Sequence, residues 1–157
     1  MEPSRNGSIV IDRTHIGKRW PSFDVEVEKG RLRLFAKAIG ETRPIYHDES
    51  AARAAGYRGL LAPPTFAFCL GADDPREMEY LRELVIPVAR MLHGEQRITL
   101  VEPICAGDRV RVTRRVRDIY EKKGGALEFV AFESEVRHQD DDRLLATADS
   151  VLVVRNG

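Results

Sequence analysis

This sequence has little that would suit a metal centre, a disulfide scaffold, a membrane span or a nucleic-acid grip. It has two cysteines, Cys69 and Cys105. They show no metal-ligand spacing, and two do not make a disulfide framework. Cys69 stands in the apolar run Thr65-Phe66-Ala67-Phe68-Cys69-Leu70, which reads as the place of a buried thiol. No stretch reaches the roughly 18 apolar residues of a membrane span. The opening, Met1 to Gly7, is polar and lacks the apolar centre of a secretory signal. Lys and Arg number 25, Asp and Glu also 25, so the formal net charge is zero. That balance speaks against nucleic acid or an anionic membrane as partner. Repeats, low-complexity tracts and linkers are missing too. The expected setting is reducing and cytoplasmic, with no metal.

What is present is an ordinary globular mix, 43% hydrophobic and 32% charged over 157 residues. That length fits one domain, 1–157, and buries most of its apolar surface without disulfides. Phe23 to Glu28 alternates strictly and predicts a short strand. Leu32, Leu34, Phe35, Ala38 and Ile39 recur at helical spacing up to Gly40, a good stop. Asp48 or Ser50 is placed to cap an Ala-rich helix, Glu49 to Ala55, which Gly56 ends. Pro63 to Ala72 is apolar on all sides, the pattern of a helix running through the core. Pro75 opens an expected surface helix, and Pro87 ends that region. The second half reads as strands: Gln96, Ile98 and Leu100 in one phase, then Val110, Val112 and Val116, then Leu127 to Val136 and Leu144 to Val154. Lys123-Gly124-Gly125 and Asp140-Asp141-Asp142 mark the turns. Four long antiparallel strands, one early strand and a fully apolar helix predict an α+β fold, with the sheet wrapped on that helix.

Some segments are more specific. Ala38 to Asp48 (Ala-Ile-Gly-Glu-Thr-Arg-Pro-Ile-Tyr-His-Asp) is followed by Ala54 to Phe66 (Ala-Ala-Gly-Tyr-Arg-Gly-Leu-Leu-Ala-Pro-Pro-Thr-Phe). Leu92-His93-Gly94-Glu95-Gln96 and Glu102-Pro103-Ile104-Cys105-Ala106-Gly107-Asp108 come later. In this order they resemble the MaoC-like acyl-thioester hydratases and dehydratases, in particular their N-terminal-type, FAS1-like dehydratase domain, over about Phe23 to Val154. The resemblance implies a single hot-dog domain, in which a long central helix is wrapped by an antiparallel sheet of about five strands. It implies edge-to-edge pairing of two such domains, as a homodimer or as a heterodimer with a catalytic hot-dog subunit. It implies a substrate carried as a coenzyme A or acyl-carrier-protein thioester. Active members hydrate a 2-enoyl thioester to the (R)-3-hydroxyacyl product without metal or redox cofactor.

That reaction needs a carboxylate and an imidazole to hold one water, and a donor for the enolate oxygen. Active relatives supply the first two in a Gly-Asp-x-Asn-Pro-x-His pattern and the third from a backbone N–H at the start of the central helix. On this pattern Gly40 and Pro44 match, but Glu41 takes the Asp position, Arg43 the Asn position and Tyr46 the His position. His47 lies one place beyond. The oxyanion donor falls at Pro64, which has no N–H, or one place on at Thr65. One lost oxyanion donor slows such chemistry about 100- to 1000-fold, and a misplaced base costs roughly another 100-fold.

The expected role is therefore that of the non-catalytic, channel-shaping subunit of an (R)-3-hydroxyacyl dehydratase. Glu41, Tyr46 and His47 stand at the degenerate catalytic positions, and Pro63, Pro64, Thr65 and His93 are candidates for lining the substrate channel. Alternatives are an active homodimeric hydratase, with Glu41 as base and Tyr46 or His47 as second partner, an acyl-thioester hydrolase using Glu41 or Asp48, and an acyl-thioester-binding module. The stripe Arg109, Arg111, Arg115 and Arg117 is either a dock for coenzyme A phosphates or an acidic carrier protein, or a solvated face paired with acids such as Glu133 and Glu135. Trp20 and Tyr57 are candidates to anchor the N-terminal arm or a dimer contact.

Overall fold

A computed structural model describes residues 7–156. The polar opening, apart from Gly7, and the last residue of the expected 1–157 domain lie outside the described residues. In chain order the elements are β1 (Phe23–Glu26), α1 (Lys29–Ala38), α2 (Glu49–Ala54), α3 (Phe66–Gly71), α4 (Glu77–Glu83), β2 (Met91–Leu100), β3 (Arg109–Lys122), β4 (Leu127–His138) and β5 (Leu144–Arg155). The strands make one antiparallel sheet in the order β1-β3-β4-β5-β2. This is the α+β arrangement that the alternating patterns predict, with the five-stranded antiparallel sheet that the family resemblance implies.

Strands β3, β4 and β5 follow from their alternation. Val110, Val112 and Val116 of β3 are fully buried against the helical side, each such side chain adding about 1.5–3 kcal/mol of burial. The β3–β4 hairpin turns through Lys123, Gly124 and Gly125 at φ 56°, 61° and 84°. Such left-handed positions favour glycine, which two of the three supply. On the outer face Arg115 stands opposite Glu133 and forms a two-pronged ion pair with it at 2.8 and 2.9 Å. Arg111 pairs with Asp24 and Arg117 with Asp149. The arginine stripe is thus largely a cross-strand ion-pair face, although Glu135 pairs with Arg137 instead.

Two helical expectations need correction and a third holds on one face. The central helix α3 has six residues rather than a long run, and Pro63 and Pro64 lie before it, with Thr65 at the cap. Its one side is open: Phe66, Ala67, Leu70 and Gly71 are buried, but Phe68 is 40% exposed. The sheet wraps only part of so short a helix. The helix after Pro75 does present an exposed face, with Met78, Glu79, Arg82 and Glu83, but its other face is part of the core. Tyr80, Leu81 and Leu84 are buried with Val116, Phe132 and Ile11 in a second core beyond the end of α3. On α1 only Leu32 and Ala36, four residues apart, are fully buried, while Leu34 and Ile39 face outward. One turn of spacing sets a single inward line.

The N-terminal arm closes the second core. Ile9 exchanges hydrogen bonds with the Asn156 side chain at 2.8 and 2.7 Å. Arg13 pairs at 2.5 Å with Glu128, a fully buried carboxylate. Trp20 packs on Tyr80 and Phe132, which, of its two expected roles, is that of anchoring the N-terminal arm.

Strand β2 departs from its pattern. The phase of Gln96, Ile98 and Leu100 predicts an inward row, yet only Met91 and Ile98 are half-buried and the rest of β2 is exposed. It is the sheet's edge, paired on one side only, with β5. Among the described residues no helix is long and apolar enough to cross a membrane.

Candidate functional site

The loop from Glu41 to Asp48 is built by its ends. Gly40, at φ 72°, turns the chain out of α1. Pro44 starts a single tight turn through Tyr46. Asp48 closes the loop by accepting the Ala51 N–H at 3.0 Å, as the cap of α2. The Ile45 carbonyl accepts the Leu61 N–H at 3.2 Å, which ties the loop to the segment leading into α3.

Within this loop the degenerate catalytic positions meet and bind one another. Arg43 grips the Glu41 carboxylate with Nε at 3.0 Å and Nη2 at 2.6 Å. The amides of Thr42 and Arg43 donate to the same carboxylate at 3.0 and 2.9 Å. The Arg43 fork, then its amide, pull the Glu41 carboxyl down from an ordinary 4.5 to about 2. Tyr46 is buried; the Arg43 guanidinium stacks over its ring at 4.9 Å and donates to its hydroxyl at 3.4 Å. His47 Nε2 lies 2.6 Å from the Glu41 carbonyl oxygen. A carbonyl only accepts, so that nitrogen carries the proton and donates. The Arg33 Nε in turn donates to the His47 carbonyl at 3.0 Å.

Chemically this network ties up the Glu41 carboxylate and one nitrogen of His47. A general base works best with a pKa near the working pH, and a carboxylate at about 2 is far below neutrality. The His47 nitrogen that faces Glu41 is committed to the backbone. Arg43, unassigned from the sequence, is the residue that organises the cluster. Its signal was visible as a basic residue two places after an acid in a tight loop.

At the start of α3, Pro63 is buried while Pro64 and Thr65 are exposed. The Phe66 N–H goes to the Pro63 carbonyl at 2.8 Å. Of the two positions weighed for an oxyanion donor, only Thr65 has an N–H. His93 is elsewhere, on β2, edge-on to Phe68 with ring centroids 5.5 Å apart. It lines a cavity of about 150 Å³ between α3, α4 and the inner face of β5. The structure therefore gathers Glu41, Tyr46 and His47 in one loop and places His93 beside a separate hollow. Among the described residues no group of three or more His, Cys, Asp or Glu is arranged to hold a metal ion.

Residues 14–147 match the model of the FAS1-like, dehydratase domain region. A UPF0336 protein of Streptomyces griseus subsp. griseus is 33% identical over 148 residues, covering 94% of this chain and 97% of that protein. The HadBC (3R-hydroxyacyl-ACP dehydratase) complex of Mycobacterium tuberculosis superposes with TM-score 0.75 at 24% identity, over 88% of this chain and 96% of the matched one. A MaoC-like dehydratase superposes with TM-score 0.78 at 21% identity, over 91% of this chain and 43% of that one. The chain belongs to the FAS1-like dehydratase domain family and has the hot-dog fold of the MaoC-like dehydratases.

Proposed function

We propose that this member of the FAS1-like dehydratase family is the non-catalytic, channel-shaping subunit of an (R)-3-hydroxyacyl-thioester dehydratase. The observation that carries the reading is the Arg43 fork on Glu41, which holds the carboxyl at about 2 and so removes Glu41 as a base at the position where the reaction needs one. Tyr46 in the imidazole position is a poor base near neutral pH. Pro64 offers no N–H to an enolate oxygen.

The partner is a hot-dog chain that keeps the Asp and His. Strand β2 is the edge for it: ten residues long, exposed and unpaired on its outer side. Such an edge is a ready template for another strand. The similarity to a chain of the HadBC complex supports this arrangement. The substrate is an acyl thioester of coenzyme A or an acyl-carrier protein. The loop 41–48, Pro63, Pro64 and Thr65 line this chain's side of the channel, while His93 lines the separate hollow beside Phe68. Two free thiols, Cys69 and Cys105, suit work in the reducing cytoplasm.

The test is reconstitution. A hot-dog chain with an intact Gly-Asp-x-Asn-Pro-x-His motif is assayed for 2-enoyl-thioester hydration with and without this protein. The reading requires turnover above that of the partner alone, undiminished when this chain carries Glu41→Gln. Turnover that collapses with Glu41→Gln, or is unchanged by adding this chain, rejects it.

A further inference from the structure

Arg114 sits in the wrong phase for a charge. Along β3 it alternates in step with Val110, Val112 and Val116, all fully buried, so it points to the inner side of the sheet. Its cross-strand neighbour is Ser134, which is buried. The neighbouring arginines of the outer face, Arg111, Arg115 and Arg117, each have an acid. Arg114 forms no ion pair among the described residues. Its guanidinium stacks on the Tyr80 ring at 4.6 Å, gives Nη2 to the Gly71 carbonyl at 3.1 Å and reaches the Ser134 hydroxyl at 3.5 Å. Five N–H donors are available on a guanidinium, and these contacts use two.

This side chain lines two adjoining hollows. One is the cavity of about 150 Å³ beside Phe68, Leu81, Phe132 and Leu152. The other, of about 20 Å³, continues it past Ser150 toward Val136 and Ala148. Among the described residues no acid lines either hollow. Arg114 is half-buried, and a partly desolvated cation beside apolar side chains gains from pairing with an anion. We propose that this cavity binds the carboxylate end of a short aliphatic chain, with the carboxylate on Arg114 and the chain along Phe68 and Leu152. A planar guanidinium suits a carboxylate in a two-pronged pair. The cavity is below the roughly 300–1,000 Å³ of drug-sized ligand pockets, so the chain is short.

The assignment stands apart from the dehydratase reading. The carboxylate could come from a free short-chain acid or from the far end of an acyl group held as a thioester. Calorimetric titration of the whole chain with hexanoate and with neutral, isosteric hexanamide tests the site. Hexanoate should bind at least about tenfold more tightly, and Arg114→Gln, which keeps a donor for the Gly71 carbonyl, should bring the two level. Ser150→Leu, which retains Arg114 but fills the hollow, should abolish hexanoate binding and serves as the deciding variant if Arg114→Gln does not fold. Equal binding of the two probes, no binding of hexanoate, a preference that survives Arg114→Gln, or hexanoate binding that survives Ser150→Leu overturns the proposal. Adipyl and hexanoyl coenzyme A then identify the source. An Arg114-dependent preference for adipyl coenzyme A confirms the site with an acyl thioester as carrier, and its absence beside a hexanoate preference confirms it for the free acid.

Discussion

Arg43 closes on Glu41 as a fork, with Nε at 3.0 Å and Nη2 at 2.6 Å from the carboxylate oxygens. The two lie two residues apart in one loop, so the pair is local and forms with the loop itself. It changes what the carboxylate can do. Held down at about 2, it stays ionised through the whole physiological range and has little appetite for a proton.

Arg43→Ala should release that hold. The Glu41 carboxyl, followed by NMR titration, should move from about 2 toward its ordinary 4.5. The sign for stability follows from a depressed folded-state value: the contribution is present above 4.5 and lost as the pH falls toward 2. Acid denaturation curves of the wild type and Arg43→Ala should therefore converge across that window. A Glu41 midpoint unchanged by Arg43→Ala would show that the fork is not the cause.

The arm that closes the second core depends on Arg13 and Glu128. Arg13→Ala would leave a fully buried carboxylate without its cation. Losing one partner of a buried pair costs about 3–5 kcal/mol, and since the Arg13 side chain is 37% exposed the low end applies. Denaturant unfolding should show the loss, and Glu128→Gln added to Arg13→Ala should recover part of it by removing the stranded charge.

Gly94 sits at the β2–β5 irregularity between His93 and Glu95. A Cβ there would lie 2.7 Å from Val153 Cγ2 and 3.2 Å from the Val151 carbonyl oxygen. Gly94→Ala should cost about 1–3 kcal/mol by overpacking. Part of that should return with Val153→Ala, a coupling that a double-mutant cycle measures.

The free edge should respond to charge. Leu92 and Leu100 of β2 are exposed in the isolated chain, so Leu92→Lys with Leu100→Lys should leave its melting temperature nearly unchanged. The same pair of changes should weaken association, read by sedimentation against a motif-bearing hot-dog partner or against a second copy. Full association in the doubly charged variant would move the interface elsewhere.

Much of this was legible in the sequence because short-range rules governed it. Alternation set the strands, glycines set the turns, and Asp48 set the α2 cap. The length of α3 and the burial of α4 were not legible. Both depend on where the sheet ends over the helical layer, which a local apolar run does not encode. Edge position defeated the alternation of β2 in the same way, since a strand pattern carries no record of a missing neighbour. At the site, the replaced positions could be read directly, but their mutual bonding could not. Glu41 is open to a reading as base in the alternative of a rearranged site, and its hold by Arg43 is visible only in three dimensions. Arg114 is legible as a charge in the phase of Val112 and Val116, opposite to that of the outer arginine stripe.

The most direct measurement of the central claim is steady-state hydration of a short and a medium-chain 2-enoyl coenzyme A by the purified chain alone, beside its Glu41→Gln variant. The account expects both proteins to match the uncatalysed control. Turnover at ordinary enzyme rates, about 1 to 1000 per second, that is lost in Glu41→Gln would contradict it and make Glu41 a working base despite its arginine.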